Sequence, residues 1–329
     1  MFGINILGTG SYAPELKITN NDMAKFVDTN DEWISTRTGI KSRHYSNGEL
    51  TWQIGAKAAE KAIEAAGISP EDIGLVIFST ITGDFATPSC ACLVQNAVGA
   101  VNASAFDLNA ACTGFVYSLD TAKRFLQTDD SMKYALVVSS EVLSRIIDFD
   151  DRTTCILFGD GAGAAVVSAD EAHGLLASVI RTDGTGAGAI TAKALTPVIA
   201  KEDGTVENAP DAVKPGLVMN GREVYRFAVK AVPEAVQAAM DAAGVTADDL
   251  KYLVLHQANT RIIASAVERL GIDPAKAPVN IENLGNTSSA SIPILLDEMN
   301  RAGKLMRGDK LAICGFGSGL TWGAAILEW

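Results

Sequence analysis

The sequence lacks several features that would assign it to a membrane or to secretion. Among its 329 residues no apolar run approaches the ~18–20 residues of a membrane span. Its first residues, Met1 to Asn5, lack the basic region that precedes the apolar core of a secretion signal. We therefore expect a soluble protein in the cytoplasm. Because 48% of the residues are hydrophobic, the chain still has enough apolar side chains for a large buried core.

Cysteine, histidine and positive charge are also scarce. The five cysteines, at positions 90, 92, 112, 155 and 314, show no spacing typical of a disulfide framework or a zinc site. We therefore predict no metal. The net charge of −12 and the isoelectric point near 4.8 argue against nucleic acids and anionic membranes as partners. An acidic partner would need a local basic patch.

The residues around Cys112 predict an elbow between a strand and a helix. A β-like run from Ser104 to Leu108 leads into a small-residue turn, and apolar residues then recur at helical spacing from Phe115 to Leu126. Free backbone N–H groups and the positive end of a helix dipole favour a thiolate at such an elbow. The helix end is worth only about 0.2–1.5 pKa units, so a partner base is needed. The alternative is a buried structural cysteine.

An internal repeat indicates two copies of one α/β unit. Residues 64–73 match residues 241–250, so that Gly67 corresponds to Gly244, 177 positions later. Residues 158–163 match residues 314–319 at the shorter shift of 156, and a β-like run follows each copy. We predict an N-terminal half, residues 1–170, that contains Cys112, and a C-terminal half, residues 171–329, that contains His256 and Asn286.

The repeat places His256 and Asn286 near Cys112. His256 follows the strand predicted for residues 252–255, at the carboxyl end where open α/β sheets bind ligands. Asn286 lies 174 residues after Cys112, close to the repeat shift, before a helix that Pro293 should kink. Taken alone, His256 is better explained as a core histidine. Together with the other two residues it indicates a catalytic cluster.

Two arrangements of positive charge are candidates for binding. Trp33 and Arg37 share one face of a predicted helix and could hold a flat ring between an indole and a guanidinium, although a surface tryptophan beside an arginine explains them equally well. Arg222, Arg226 and Lys230 form a positive stripe on a second helix. The stripe is either a solvated face or the patch that an acidic partner needs.

Three further segments give structural expectations. Residues 183–218 are rich in Gly, Ala and Pro and predict a long loop over one face. The glycine-rich residues 158–167 predict a tight turn that leads into a strand, since no lysine or helical pattern follows to indicate a phosphate loop. Thr87 should cap a helix that reaches about Val98.

The chain resembles the β-ketoacyl-acyl-carrier-protein synthase III family of the thiolase-like superfamily over essentially its whole length. Four motifs carry the resemblance: Asn109-Ala-Ala-Cys112-Thr-Gly, His256-Gln-Ala-Asn259, Asn283-Leu-Gly-Asn286-Thr-Ser and Gly315-Phe-Gly-Ser-Gly-Leu-Thr-Trp322-Gly. The resemblance implies an α/β protein with the thiolase-like, duplicated αβαβα five-layered sandwich. It also implies a homodimer.

The resemblance assigns a role to each candidate residue. The catalytic residues are Cys112, His256 and Asn286. Backbone N–H groups of Cys112 and Ser318 form the oxyanion hole, although the family often has glycine at position 318. The coenzyme A contacts are Trp33, Arg37, Arg152 and Asn259. The carrier-protein docking positions of the family fall near Arg226 and Arg261, and we add Arg222 and Lys230 of the positive stripe, together with Gln257, as predicted carrier-protein contacts. Arg222 departs from the family at a coenzyme-contact position. Thr87 is the acyl-pocket gate, where the family commonly has phenylalanine.

The implied reaction is a decarboxylative Claisen condensation. An acyl-CoA primer, acetyl-CoA or somewhat longer, and malonyl-acyl carrier protein (malonyl-ACP) give 3-oxoacyl-ACP, CoA and CO₂. No cofactor is expected, since decarboxylation supplies the carbanion and the coenzyme A thioester is a substrate. Three alternatives remain: a Cys-His-Asn thiol hydrolase, a non-catalytic partner subunit, which typically lacks the nucleophile retained here, and a secondary-metabolite enzyme that uses another acceptor.

Overall fold

The computed structural model describes residues 3–170, 173–192, 198–200, 206–208 and 216–329. The strands are β1 (Gly3–Tyr12), β2 (Leu16–Thr19), β3 (Ser42–Tyr45), β4 (Ile73–Ser79), β5 (Ser104–Leu108), β6 (Tyr134–Glu141), β7 (Gly161–Asp170), β8 (Gly174–Thr182), β9 (Ile190–Ala192), β10 (Val198–Ala200), β11 (Val206–Asn208), β12 (Leu217–Met219), β13 (Leu250–Leu255), β14 (Lys310–Gly317) and β15 (Thr321–Glu328). The α-helices are α1 (Asn20–Met23), α2 (Asp31–Thr38), α3 (Thr51–Ala66), α4 (Cys90–Ala97), α5 (Gly114–Thr128), α6 (Gly221–Ala243), α7 (Thr260–Leu270), α8 (Ile281–Leu284) and α9 (Ser291–Arg301).

Two larger sheets repeat one strand pattern. The first has the order β1-β7-β6-β4-β5, and the second has the order β13-β14-β15-β8. In the first sheet β4 is parallel to β6, which is antiparallel to β7. In the second sheet β13 is parallel to β14, which is antiparallel to β15. The strands β4, β6 and β7 therefore correspond to β13, β14 and β15.

Helices separate and cover the two sheets. Helices α5 and α9 lie between the sheets, where Phe115, Leu119 and Leu295 pack with side chains of both. Helices α3 and α4 cover the outer face of the first sheet, and α6 and α7 cover that of the second. The order helix, sheet, helix, sheet, helix is the five-layered α/β sandwich predicted from the sequence, which is thereby confirmed. Among the described helices, none combines the length and apolarity needed to cross a membrane.

The repeat is visible in the backbone. Gly67 caps the carboxyl end of helix α3 with φ 65° and ψ 31°, and Gly244 caps that of α6 with φ 67° and ψ 33°. In both turns the glycine N–H donates to carbonyl groups three and four residues earlier, which closes the helix in the left-handed conformation that glycine favours. Because the central core draws side chains from residues on both sides of position 170, the two halves pack as one body. Their division at 170/171 stays a prediction.

Several local predictions are wrong for identifiable reasons. The cap of α4 is Ser89, whose hydroxyl accepts a hydrogen bond from the Cys92 N–H, and not Thr87. Gly163 belongs to β7 rather than to a turn. The strand has glycine at this position because α9 packs closely against it, and a Cβ at Gly163 would lie 2.7 Å from the Ile294 nitrogen. Pro293 lies in the first turn of α9, where its missing N–H costs no helical hydrogen bond.

The segment 183–218 is more structured than the predicted loop. Its described residues form a 3₁₀ turn, Gly184–Ala189, and the antiparallel pairs β9 with β12 and β10 with β11. Residues 193–197, 201–205 and 209–215 lie outside the described residues. Glycine and alanine content alone does not reveal such short pairs, since each strand depends on a partner elsewhere in the sequence, 25 positions away in the case of Ala192 and Leu217.

Candidate active site

One cavity of about 220 Å³ brings the predicted catalytic residues together. Cys112, His256 and Asn286 all line it, as do Asn259 and Ser318. Most of its remaining wall is apolar and includes Ile81, Leu143, Phe158, Leu217, Val224 and Phe316. The cavity therefore presents one thiol, one imidazole and two side-chain amides to a ligand that is otherwise hydrophobic.

Cys112 lies on a tightly packed elbow, as predicted. Ala111 has φ 45°, and Cys112 follows in a 3₁₀ turn that continues into α5. A Cβ at Gly114 would lie 1.7 Å from the Ser79 Oγ, so only glycine fits at the start of the helix. A Cβ at Gly317 would lie 3.1 Å from the Cys112 nitrogen and 3.2 Å from its Sγ. The end of β14 thus runs directly beside the thiol.

A second elbow faces the first. Ser288 has φ 51° and lies 177 positions after Ala111, which is the shift of the repeat. The Cys112 thiol donates to the Ser288 Oγ at 3.4 Å. The Asn286 side-chain oxygen accepts from the Ser288 N–H at 2.8 Å, which fixes the orientation of the amide. The same shift makes Ser289 the counterpart of Cys112, so Asn286 lies on the mirror elbow, three residues before the equivalent position.

A buried acidic residue that the sequence analysis missed supports the second elbow and the segment that follows β4. Glu141 ends β6 and is fully buried. It accepts hydrogen bonds from the Thr82 Oγ1 at 2.8 Å, the Ser289 Oγ at 2.8 Å and the Ile81 N–H at 3.1 Å. Burial raises the pKa of Glu141, and these donors oppose that effect. The signal in the sequence was an acidic residue at the end of an otherwise apolar strand.

His256 is held as a neutral imidazole. It is buried directly after β13, and burial lowers its pKa to about 3. Its Nδ1 lies 2.7 Å from the Ser291 Oγ, and its ring packs edge-on against Phe316 at a centroid distance of 5.2 Å. A neutral imidazole carries one N–H, so it can donate a hydrogen bond without carrying charge.

Cys112 is a thiol in this environment, which corrects the thiolate expected from the elbow. Burial raises its pKa to about 12, although the hydrogen bond with Ser288 opposes this rise. The nearby Glu141 charge also raises the pKa of Cys112. Desolvation outweighs the favourable helix end because a thiolate in an apolar cavity loses its hydration. The thiol must therefore lose its proton as it reacts.

The candidate coenzyme A contacts lie on one partly exposed face, where Arg37 and Arg152 are exposed and Trp33 and Asn259 are half-buried. The Arg37 guanidinium lies 4.6 Å from the centroid of the Trp33 ring, and the Arg152 guanidinium lies 5.2 Å from it. These cations already contact the indole, so a flat ligand ring would have to displace a guanidinium to stack there. Asn259 caps α7, and its side-chain N–H donates to the Arg37 carbonyl at 3.0 Å. Asn259 therefore joins this face to the cavity.

The candidate carrier-protein contacts differ in their exposure to solvent. Arg222, Arg226 and Lys230 are exposed along α6, as the stripe predicted. Arg261 is exposed as well, and its guanidinium donates to the Thr36 carbonyl at 3.0 Å. Gln257 is only 1% exposed, so the prediction that it contacts a protein partner is wrong.

Two hydrogen bonds explain the burial of Gln257. Its side-chain nitrogen donates to the Leu255 carbonyl at 2.8 Å, and its side-chain oxygen accepts from the Asn280 N–H at 3.1 Å. Gln257 is thus a structural residue that fixes the turn after His256. A polar residue beside a catalytic one in a motif gives no sign of which way its side chain points.

Ser318 and Thr87 occupy different surroundings. Ser318 lines the cavity, and its hydroxyl donates a hydrogen bond to the Ile190 carbonyl at 2.7 Å. Thr87 is exposed and does not line the cavity of its own chain. Any role for Thr87 as a gate would therefore act on a partner subunit.

The fold and the site together define a class of protein. A duplicated five-layered sandwich with cysteine, histidine and asparagine in one apolar cavity is the arrangement of a thiolase-like condensing enzyme. Residues 106–184 match the 3-oxoacyl-[acyl-carrier-protein (ACP)] synthase III family, and residues 240–329 match the C-terminal region of the same family. The chain belongs to the β-ketoacyl-acyl-carrier-protein synthase III family of acyltransferases.

Individual relatives agree with this assignment. The chain is 48% identical to the β-ketoacyl-[acyl-carrier-protein] synthase III of Clostridium acetobutylicum, covering 100% of this chain and 99% of the relative. It is 42% identical to the solved synthase III of Thermus thermophilus, with a TM-score of 0.91 and 99% of each chain covered. It is 38% identical to the priming β-ketosynthase of the R1128 polyketide pathway, with a TM-score of 0.90, 99% of this chain and 96% of that chain covered.

The raised pKa of Cys112 leads to a test by alkylation. In a Cys92→Ala background, which removes an exposed thiol, we expect the rate of Cys112 carboxamidomethylation to rise about tenfold per pH unit up to at least pH 10. The reason is that the thiolate fraction keeps increasing while the pH is below the pKa of about 12. Peptide mass spectrometry measures the rate, with N-acetylcysteine as the control. A plateau below pH 9 would show an ionised resting thiol instead.

Proposed function

We propose that Cys112, His256 and Asn286 carry out the condensation that begins fatty-acid synthesis, with an acyl-CoA primer and malonyl-ACP as substrates. The observation that carries the proposal is the placement of these three side chains around one apolar cavity. Family membership supports the reaction type. The proposed reaction needs no metal or redox cofactor because loss of CO₂ generates the carbon nucleophile.

The first stage transfers the acyl group to Cys112. Its sulfur attacks the thioester carbonyl of the primer, and the tetrahedral oxyanion accepts hydrogen bonds from the backbone N–H groups of Cys112 and Ser318. Collapse breaks the bond to the sulfur of CoA, which leaves with the proton that the cysteine gave up. The tight approach of Gly317 to Cys112 supports this assignment, since it brings the following N–H beside the thiol.

The second stage uses the other two residues. Malonyl-ACP loses CO₂, and the electron pair of the broken C–C bond passes into an enolate on the thioester. The neutral His256 imidazole and the Asn286 amide donate hydrogen bonds to the enolate oxygen. The enolate carbon attacks the acyl-cysteine, the cysteine sulfur leaves and a proton restores the thiol. A neutral histidine suits this role because it donates without needing to be charged.

Two surfaces outside the cavity complete the proposal. Trp33, Arg37, Arg152 and Asn259 contact coenzyme A, because two guanidiniums beside an indole offer partners for phosphates and for an adenine ring. Arg222, Arg226, Lys230 and Arg261 receive the acidic carrier protein. The exposed positive stripe on α6 supports this assignment, since a chain of net charge −12 otherwise repels such a partner.

A homodimer in the cytoplasm is the proposed working form. Strand β5 is at the edge of the first sheet, and an edge with unpaired backbone groups favours pairing with another strand. In a dimer the exposed segment around Thr87 can reach the acyl pocket of the partner subunit. This arrangement makes position 87 a determinant of primer length.

A second function is favoured by one comparison. The similarity to the priming β-ketosynthase of a polyketide pathway suggests condensation with a specialised thioester acceptor. Product formation with malonyl-ACP from a fatty-acid system separates the two functions. Efficient turnover with that carrier supports fatty-acid initiation, and turnover only with another carrier supports the second function.

The division of labour between the two stages can be tested with three alanine variants. Cys112→Ala should abolish acyl-enzyme formation while malonyl decarboxylation continues. His256→Ala and Asn286→Ala should each slow decarboxylation by about 10²–10³-fold, as expected for loss of one oxyanion donor, and slow acylation far less. Rapid-quench acylation and release of labelled CO₂ measure the two stages. Equal losses in both stages for His256→Ala and Asn286→Ala would refute the division.

The proposed carrier-protein surface can be tested by charge reversal. Arg226→Glu should raise the KM for malonyl-ACP at low salt and leave acylation by acyl-CoA unchanged, because it repels only the acidic protein. Lys133→Glu makes the same change in charge on an exposed residue next to β6 and serves as the matched control. The difference between the variants should fade as salt increases. An unchanged KM for malonyl-ACP in the Arg226→Glu enzyme at low salt would show that the stripe is only a solvated face.

The proposed gate can be tested by restoring the family's aromatic residue. Thr87→Phe should lower kcat/KM for octanoyl-CoA more than for acetyl-CoA. Each methylene that the phenylalanine ring excludes from the acyl pocket costs about 0.8 kcal/mol of binding free energy, which is roughly a fourfold loss of affinity. Thr87→Ser keeps a small hydroxyl residue and should preserve the parent profile. Rates with acetyl-, butyryl-, hexanoyl- and octanoyl-CoA measure the effect. A parent enzyme that already prefers acetyl-CoA, with no change in Thr87→Phe, would show that residue 87 is not the gate.

A further inference from the structure

The hydrogen bonds of Ser291 bear on the state of His256. Ser291 is the first residue of α9 and is 2% exposed, and His256 is 1% exposed. The Ser291 Oγ lies 2.7 Å from the His256 Nδ1. Since Nδ1 is turned toward Ser291, Nε2 is the ring nitrogen that remains for a ligand in the cavity that His256 lines. Which nitrogen carries the proton decides whether His256 donates or accepts there.

A second contact of Ser291 resolves this question. The Gln257 N–H donates to the same Oγ at 3.3 Å. A hydroxyl has two lone pairs and one hydrogen, so with one lone pair occupied by Gln257 it can still donate its hydrogen to Nδ1. If the His256 Nδ1–H were the donor instead, the Ser291 Oγ would accept both hydrogen bonds, one from His256 and one from Gln257. The buried hydroxyl hydrogen of Ser291 would then have no acceptor within the described part of the chain, which is unfavourable.

We propose that Ser291 is a positioning residue that holds His256 in the tautomer with the proton on Nε2. This inference rests on the proposed function, because it explains how a neutral histidine is kept ready to donate to the enolate oxygen. Gln257, which is buried and therefore unsuited to docking, acquires a role here through its backbone N–H. Ser291→Ala would remove the hydroxyl that donates to Nδ1, and the ring proton of His256 could then move from Nε2 to Nδ1.

The local backbone supports the assignment. Asn286 and Ser291 belong to one short segment, in which the Ser288 N–H fixes the Asn286 amide and Ser289 is bonded to the buried Glu141. The two donors to the enolate, the Asn286 amide and the His256 Nε2–H, are therefore both oriented by residues 286–291. One rigid turn controls both groups that the second stage requires.

Nitrogen NMR tests the tautomer directly. The chain has only three histidines, so a ¹⁵N-histidine sample gives few ring signals, and comparison with His256→Ala identifies those of His256. Two-bond couplings from the ring hydrogens distinguish a protonated Nε2 from a protonated Nδ1. We expect Nε2–H in the parent protein. Nδ1–H in the parent would overturn the inference, and this measurement needs no variant at position 291.

Kinetics of substituted proteins provide the second arm. Ser291→Ala should shift His256 toward Nδ1–H and lower kcat for malonyl decarboxylation by about tenfold or more, a part of the loss expected for an oxyanion donor. Burst acylation by acyl-CoA should change by less than about twofold, since it does not use His256 as a donor. Ser291→Thr retains the hydroxyl and should restore both the tautomer and the rate.

Ser139→Ala serves as the matched control. It removes another buried serine hydroxyl, one without a hydrogen-bond partner in the described residues, and should leave tautomer and rate unchanged. A Ser291→Ala protein with an Nε2–H histidine and full decarboxylation would refute the role. Condensation by a parent enzyme whose His256 is the Nδ1–H form would refute this inference alone, whereas absence of any condensation would refute the proposed function itself.

Discussion

The close packing of two elbows against each other is the constraint on which the site depends. Both elbows begin with a residue at positive φ, Ala111 in one copy of the repeat and Ser288 in the other. The packing leaves little room: a Cβ at Gly114 would lie 1.7 Å from the Ser79 Oγ and 3.2 Å from the Ser289 Cβ of the second elbow, and a Cβ at Gly317 would lie 3.0 Å from the Cys112 Cβ. This packing places a thiol from one half beside an amide and an imidazole from the other. The duplication therefore supplies the scaffold, and divergence of the two copies supplies different chemistry at equivalent positions.

Burial gives this scaffold its electrostatic character. In an apolar cavity the free energy of solvation favours neutral groups, so Cys112 is a thiol with a pKa of about 12 and His256 is an imidazole with a pKa of about 3. Neither group is ionised near neutral pH. In the proposed reaction the site would stabilise charge that appears only as the substrates react, first on a tetrahedral oxygen and then on an enolate, because it holds no charge on these two groups at rest.

Much of this arrangement could be predicted from the sequence, and what could not be predicted depends on burial and distance. Periodicity predicted the helix that follows Cys112, and the repeat brought Cys112, His256 and Asn286 to one region. The inward orientation of Gln257, the support by Glu141 and the suppression of the thiolate all required contacts between distant segments. Gly163 was misplaced for the same reason, since only the packing of α9 explains a glycine in that strand.

The central claim, that Cys112 carries the primer while the other two residues act on malonyl-ACP, is tested most directly by intact-mass measurement in sequence. Mixing the protein with an acyl-CoA should add the mass of one acyl group, located at Cys112 by peptide analysis. Subsequent addition of malonyl-ACP should remove that mass and yield 3-oxoacyl-ACP. An adduct on another residue, or an adduct lost to water without a 3-oxoacyl product, would contradict the account.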